Sequence, residues 1–315
     1  MVESVRSWPQ DSKPRPTSHV KSMSRKDIQF VVITPVRDEE QHLKGTIESV
    51  VAQTIRPAEW IIVDDGSTDG TASIIAEYAR THSWIRAVHR ANRGFRLSGG
   101  GVVDAFNDGY KTLESENWQF IVKLDGDLSF PPDYFEKCFE HFEQETSLGV
   151  GGGVICHDVS GHGHLRVEEN PRFHVRGATK IYRRECWDAI GGFWPAPGWD
   201  TMDEVKASML GWSTRSFPDL QLLHHRVTGG ADGTWANSVK NGRANYICGY
   251  HPLFMMFKCV IRLAKRPFLI PAIGLFYGFI SGYLTAIPQV DDAATIRYLR
   301  KQQIRRLLLK DSIWK

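Results

Sequence analysis

The chain has no Cys-x-x-Cys pair, no Gly-x-x-x-x-Gly-Lys-Ser/Thr loop, and no Gly-x-Gly-x-x-Gly between its first predicted strand and helix. The first absence removes the usual zinc and dithiol patterns. Cys138, Cys156, Cys186, Cys248 and Cys259 are odd in number and widely spaced, and read as reduced thiols of a cytosolic compartment. The other two absences rank ATP hydrolysis and dinucleotide redox chemistry low. Excess charge is also scarce: a net +3 over 315 residues is too mild to argue for nucleic acid. Met1 to Lys26 holds no apolar core segment, so no secretory signal is expected there. Residues 1–26, rich in Ser, Pro, Lys and Arg, read as a disordered tail. The remaining chain is ordinary in composition and has room for one large or two small domains.

Two acidic turns stand out, each following a short apolar run. Trp60-Ile61-Ile62-Val63 leads into Asp64-Asp65-Gly66-Ser67, and Phe120-Ile121-Val122-Lys123-Leu124 leads into Asp125-Gly126-Asp127. Such runs read as buried parallel strands, and open α/β sheets bind ligands beyond the carboxyl ends of their strands. Carboxylates gathered there need a cation or hydrogen-bond donors to meet them. A divalent cation carrying a diphosphate suits the second turn and a nucleoside suits the first, which implies an enzyme that uses a nucleotide-sugar. The blander readings are turn formation and helix capping for Asp64 and Asp65, and a solvated turn for Asp125 and Asp127.

The order from Asp27 onward supports an α/β class with a parallel sheet. Gln29–Thr34, the Trp60 run, Trp84–His89 and the Gln119 run read as strands. Glu40–Thr54, Thr71–Arg80 and a segment from Gly99 to about Leu113 read as the helices between them, with Ser67 or Asp69 capping the second.

Val32-Ile33-Thr34-Pro35-Val36-Arg37-Asp38-Glu39, Ser49-Val50-Val51-Ala52-Gln53-Thr54, Ile62-Val63-Asp64-Asp65-Gly66-Ser67-Thr68-Asp69 and Asp125-Gly126-Asp127 together resemble the family-two inverting glycosyltransferases. The resemblance runs in matching order over roughly Gln29 to Arg226. It implies a GT-A fold, a mostly parallel sheet flanked by helices, over residues 27–250, with a nucleotide-sugar half at 27–127 and an acceptor half at 128–250. It also implies transfer from a nucleoside diphosphate sugar with inversion. Asp65 then accepts from the base, with Thr34, Pro35, Arg37, Asp38 and Glu39 in the same pocket. Asp125 and Asp127 hold Mn²⁺ or Mg²⁺, Asp127 foremost, and Arg93 or Arg96 reaches the diphosphate or the sugar. A histidine after Leu222-Leu223 completes the metal shell: His224 or His225, with His225 taken as the candidate.

The resemblance places the general base in a Glu-Asp pair about eleven residues before a Gly-Trp. Counting back from Gly211-Trp212 selects Asp200, where Trp199 replaces the Glu. Matching an acidic pair selects Asp203 with Glu204 instead. The two aspartates share a helix face, so both stay candidates, and an N-cap is the alternative role for Asp200. Loops at 161–164 and 228–233 are expected to flex around acceptor and donor.

The C-terminal region, 251–315, differs in character. Pro267 to Ile287 is a 21-residue stretch without a charge, long enough to cross a bilayer if helical. Gly274, Gly278 and Gly282 make two Gly-x-x-x-Gly steps. Basic residues on both flanks argue against a single span and favour a re-entrant hairpin or interfacial helix pair beginning near Leu253. Thr295 to Lys310 carries six basic and no acidic residues, with Ile296, Leu299, Ile304, Leu307 and Leu308 as its apolar set, as for a helix on an anionic leaflet. The competing expectations are packing on the catalytic domain, or a homo-oligomer joined by the glycine face. The expected partners are a nucleotide-sugar donor, a lipid-linked or saccharide acceptor and the cytoplasmic face of the plasma membrane. A catalytically silent scaffold remains the alternative. A sugar nucleotidyltransferase is disfavoured, because Pro35-Val36-Arg37-Asp38-Glu39 is no glycine-rich basic loop.

Overall fold

The computed structural model describes residues 28–94, 100–158, 165–226, 233–264 and 267–314. The expected tail at 1–26, Arg96, the loop at 161–164 and most of the loop at 228–233 lie outside the described residues. The strands are β1 (Phe30–Val36), β2 (Glu59–Asp64), β3 (Ile85–His89), β4 (Phe120–Leu124), β5 (Leu128–Ser129), β6 (Leu148–Asp158), β7 (Leu165–Val167), β8 (Thr179–Arg183) and β9 (Ser213–His224). The helices are α1 (Leu43–Val51), α2 (Thr71–Thr81), α3 (Gly100–Lys111), α4 (Tyr134–Gln144), α5 (Arg184–Ile190), α6 (Trp199–Met209), α7 (Gly233–Ile247), α8 (Pro252–Leu263), α9 (Ile270–Leu284) and α10 (Ala293–Leu307).

Among the described residues the strands form one sheet in the order β3-β2-β1-β4-β8-β6-β9-β5, with β7 paired to β6. β3, β2, β1 and β4 run parallel, so their carboxyl ends share one edge. Their sequences are nearly continuous apolar runs because helices cover both faces. Phe30, Val32, Trp60 and Ile62 enter one core, which α1, α2 and α4 complete; Val31, Ile33, Ile61 and Val63 enter the other, completed by α3, α5 and α6. The sheet is mixed but mostly parallel, and β6 and β9 also pair in parallel. β8 enters antiparallel between β4 and β6, and β5 pairs antiparallel with β9. α1 is shorter than the expected Glu40–Thr54, because the Glu39 carbonyl first closes a turn with the amides of His42 and Leu43.

A third core joins α6 to the C-terminal helices through Met202, Tyr246, Met255, Phe279 and Leu299. The glycine face of α9 is used inside the chain. A Cβ at Gly278 would collide with the Val239 carbonyl, and one at Gly242 of α7 with the Leu275 carbonyl, so two backbones touch where side chains would stand. That contact takes the surface which the sequence offered to a homo-oligomer. In α10 Leu299 is buried and Ile296 packs over Gly249, so these two serve the third core, while Leu308 just beyond the helix is exposed. None of the described helices is long and apolar enough to cross a membrane.

Candidate active site

The strand order turns at β1, which has β2 on one side and β4 on the other, and both acidic turns leave the sheet at that edge. Asp125 and Asp127 follow β4. The β5–β9 pairing places Leu128 opposite His224, and this brings the histidine back to the carboxylates. Asp125, Asp127 and His224 offer ligand atoms within 4.8 Å of one another. His224 Nε2 lies 3.1 Å from Asp127 Oδ2. Burial raises the Asp127 carboxyl, but the hydrogen bond and charge of His224, with Arg226 beyond, outweigh it and hold the group low. Burial pushes Asp125 up despite the Lys123 ammonium, helped by the charge of Asp127. Two carboxylates and an imidazole suit a hard or borderline divalent cation such as Mg²⁺ or Mn²⁺.

His225 is a correction to the sequence reading. Its Nε2 meets Ser129 Oγ at 2.7 Å and its ring stacks on His42, centroids 5.5 Å apart. Adjacent residues at a strand end point to opposite faces, so only one of the two can join the cluster.

The first turn is tied together by its own side chains. Asp64 Oδ1 accepts from Ser67 N at 2.9 Å, the Asp38 amide donates to Ser67 Oγ at 3.0 Å, and Asp38 Oδ1 accepts from Thr68 N at 2.8 Å. Asp38 takes φ 53° to do so, a left-handed conformation that aspartate tolerates better than most residues. Asp65 sits in the bend with one oxygen on Arg90 and the other 2.5 Å from Arg93 Nη2, while Arg37 Nη1 donates to its carbonyl at 3.2 Å. Glu39, just after β1, meets Arg226 at 2.5 Å, and the same arginine comes within 3.9 Å of Asp127. Thr34 and Pro35 lie in the carboxyl half of β1, the strand that ends between the two acidic turns. Both are buried inside β1, and Thr34 Oγ1 accepts the Trp60 indole N–H at 2.9 Å, which spares a buried donor costing about 1–3 kcal/mol.

The structure separates the two candidate bases. Gly198 caps α6 with φ 89° and Asp200 lies in the first turn, so Asp200 is not the N-cap. Its side chain is partly exposed, and among the described residues no hydrogen bond engages its carboxylate. Burial raises it, but the charges of His174, Lys180, Arg176 and Lys123 prevail and keep it low. Asp203 is instead 1% exposed and bound by Lys180 Nζ at 2.9 Å and by the Tyr182 hydroxyl. Burial pushes it up to about 6 against the pull of Lys180. Glu204 completes this cluster, 2.9 Å from Lys180 and 2.8 Å from His174 Nδ1, and accepts the Val175 amide at 2.7 Å. The sequence reading did not assign Lys180 or Arg90. The available signal was a lysine inside the apolar strand Thr179-Lys180-Ile181-Tyr182, since a buried ammonium requires carboxylates. Lys123 links the two regions: its Nζ binds Asp125 and the Gly177 carbonyl, and Gly177 packs on Trp199 and Asp200.

The fold is GT-A-like, with the acidic groups gathered at the carboxyl edge of its parallel strands. Residues 31–196 match the model of glycosyl transferase family 2, and the chain belongs to that family, an inverting one. EpsH of Bacillus subtilis is 31% identical over 222 residues, 62% of this chain and 60% of EpsH. TuaG of the same organism, named for teichuronic acid biosynthesis, is 35% identical over 116 residues, 37% of this chain and 42% of TuaG. The chain thus spans less than two thirds of either relative. Among solved structures, the mannosyltransferase PcManGT of Pyrobaculum calidifontis, held with GDP-Man and Mn²⁺, superposes with TM-score 0.53 at 18% identity, covering 96% of this chain and 79% of that one. At that identity the likeness bears on the fold alone.

Proposed function

We propose that this chain moves a sugar from a nucleoside diphosphate donor to a hydroxyl of a lipid-linked or saccharide acceptor in cell-envelope or exopolysaccharide assembly. The observation that carries this is the convergence of Asp125, Asp127 and His224 at the sheet edge, with Asp200 tied to the same region through Lys123 and Gly177. Asp125, Asp127 and His224 are the residues that would hold Mn²⁺ or Mg²⁺. A cation there supplies positive charge against the negative charge that develops on the departing diphosphate. Asp200, kept ionised by the cations around it, takes the acceptor hydroxyl's proton as that oxygen bonds to the anomeric carbon. The bond to the diphosphate breaks on the opposite face, which inverts the centre. Arg226, Arg90 and Arg93 stand where a donor's phosphates and nucleoside would approach. The polysaccharide setting draws support from the likeness to TuaG. All five cysteines are unpaired, which suits the cytoplasmic face of the plasma membrane, where nucleotide-sugars are made.

Thermal unfolding with uridine, guanosine, thymidine and cytidine diphosphates, each with and without Mn²⁺ or Mg²⁺, tests the reading. Ligand at a hundred times its Kd adds about 2.7 kcal/mol. One diphosphate is expected to raise Tm only with metal, and the shift is expected to vanish in Asp127→Ala. A folded protein indifferent to all four would overturn the proposal and favour a silent scaffold.

A further inference from the structure

α8 and α9 are apolar on both sides. Met255 and Cys259 of α8, and Leu275 and Phe279 of α9, are buried in the third core. On the opposite sides Leu253, Phe257, Val260, Ile273, Tyr277 and Leu284 are between 52% and 81% exposed. Their spacing of three, four and seven residues puts them on one stripe of each helix, and the two helices pack together. The turn between the helices adds to this surface: Leu269 takes φ 63°, a costly conformation for leucine, while 57% of it stays exposed. An apolar surface of this extent marks a binding face.

Charge selects the occupant. From Pro252 to Val290 there is no acidic residue, while Lys258 and Arg262 stand on α8 itself. A second copy docked symmetrically would bring like cations together, because a two-fold interface sets each patch against itself. An anionic lipid surface would neutralise them and accept the apolar stripe. Crossing is not the mode: the 15 residues of α9 reach about 22 Å, short of the hydrocarbon thickness. We propose that the exposed stripes of α8 and α9 form a monotopic docking face for an anionic membrane surface. This deepens the lipid-linked reading of the acceptor, yet its test does not depend on transfer activity.

The full chain would be floated with vesicles of phosphatidylcholine, with and without phosphatidylglycerol, beside the double variant Val260→Glu/Ile273→Glu. Both positions are exposed, so the variant is expected to keep the wild-type unfolding midpoint. Wild type should float with phosphatidylglycerol vesicles and less with phosphatidylcholine alone. The variant should bind about tenfold or more weakly, since carboxylates must enter the acyl boundary. Wild type that floats with neither vesicle overturns the proposal, as does a variant that floats as well as wild type. A dimer seen by sedimentation and split by the same substitutions would assign the face to a second copy instead. Flotation reads lipid contact alone, so its failure would leave the glycosyltransferase reading intact.

Discussion

Asp200 and Asp203 lie three residues apart on α6, yet differ in what surrounds their oxygens. Lys180 and Tyr182 occupy Asp203, whereas among the described residues no donor engages the Asp200 carboxylate. Asp200→Asn should therefore fold normally, within about 0.5 kcal/mol of wild type. It should lose about a hundredfold to ten-thousandfold in kcat, as the removal of a general base does. Asp203→Ala should do the reverse, costing about 3–5 kcal/mol because Lys180, fully buried, loses one of the two carboxylates that lie 2.9 Å from it. Urea unfolding and transfer rates measured on both proteins check the pair; a stable Asp203→Ala with no activity would reverse the roles. At this scale the sequence was legible for where a carboxylate stands when its own strand and turn decide that, as at Asp64, Asp125 and Asp127. It was not legible where one step of phase decides. Along β9, Leu220, Leu222 and His224 are the buried set, but Leu222-Leu223 and His224-His225 sit side by side and hide that alternation.

The α7–α9 contact is an element-scale device, because its fit lies in two backbones rather than in any one side chain. Gly278→Ala should push α9 off the Val239 carbonyl and cost about 1–3 kcal/mol, the range for overpacking. Gly45→Ala in α1 makes an opposite control. The nearest atom to its added Cβ is Ser129 Oγ at 3.8 Å, so the gain in helix propensity, about 0.5–1 kcal/mol, should appear as added stability. Denaturant midpoints of the two variants should therefore move in opposite directions, and a neutral Gly278→Ala would mean that the helices do not touch there. The Gly-x-x-x-Gly steps announced close helix approach in the sequence, but such a pattern is silent about its partner, and α7 has only Gly242 as a matching mark. The four parallel strands were legible for a simpler reason: apolar runs bounded by turns need no knowledge of their neighbours. β8, antiparallel between β4 and β6, depends on long-range pairing and was not.

At the scale of the whole molecule, the buried ionic cluster joins the loop bearing His174, strand β8 and helix α6, so its protonation bears on global stability. Burial lowers His174, but the Glu204 carboxylate 2.8 Å away overrides this and leaves it raised. A histidine whose folded pKa is raised contributes stability that is complete below its unfolded value, about 6.5, and is lost as pH climbs through the folded value. Asp203, pushed up to about 6 by burial, acts with the same sign at lower pH. Its folded form holds a proton that the unfolded chain releases near pH 3.9, so stability declines as pH rises between those values. Asp127, Asp200, Glu59 and Glu168 are depressed and act oppositely, withdrawing stability only as pH falls below about 4. The isolating measurement is the difference in Tm between wild type and His174→Gln as a function of pH, since terms common to both proteins cancel. That difference should be widest below about pH 6.5 and shrink as pH rises past the raised histidine value. A difference constant across that window would mean that His174 keeps one charge state throughout, and that the ion pair with Glu204 contributes no pH-dependent stability to the join between β8 and α6.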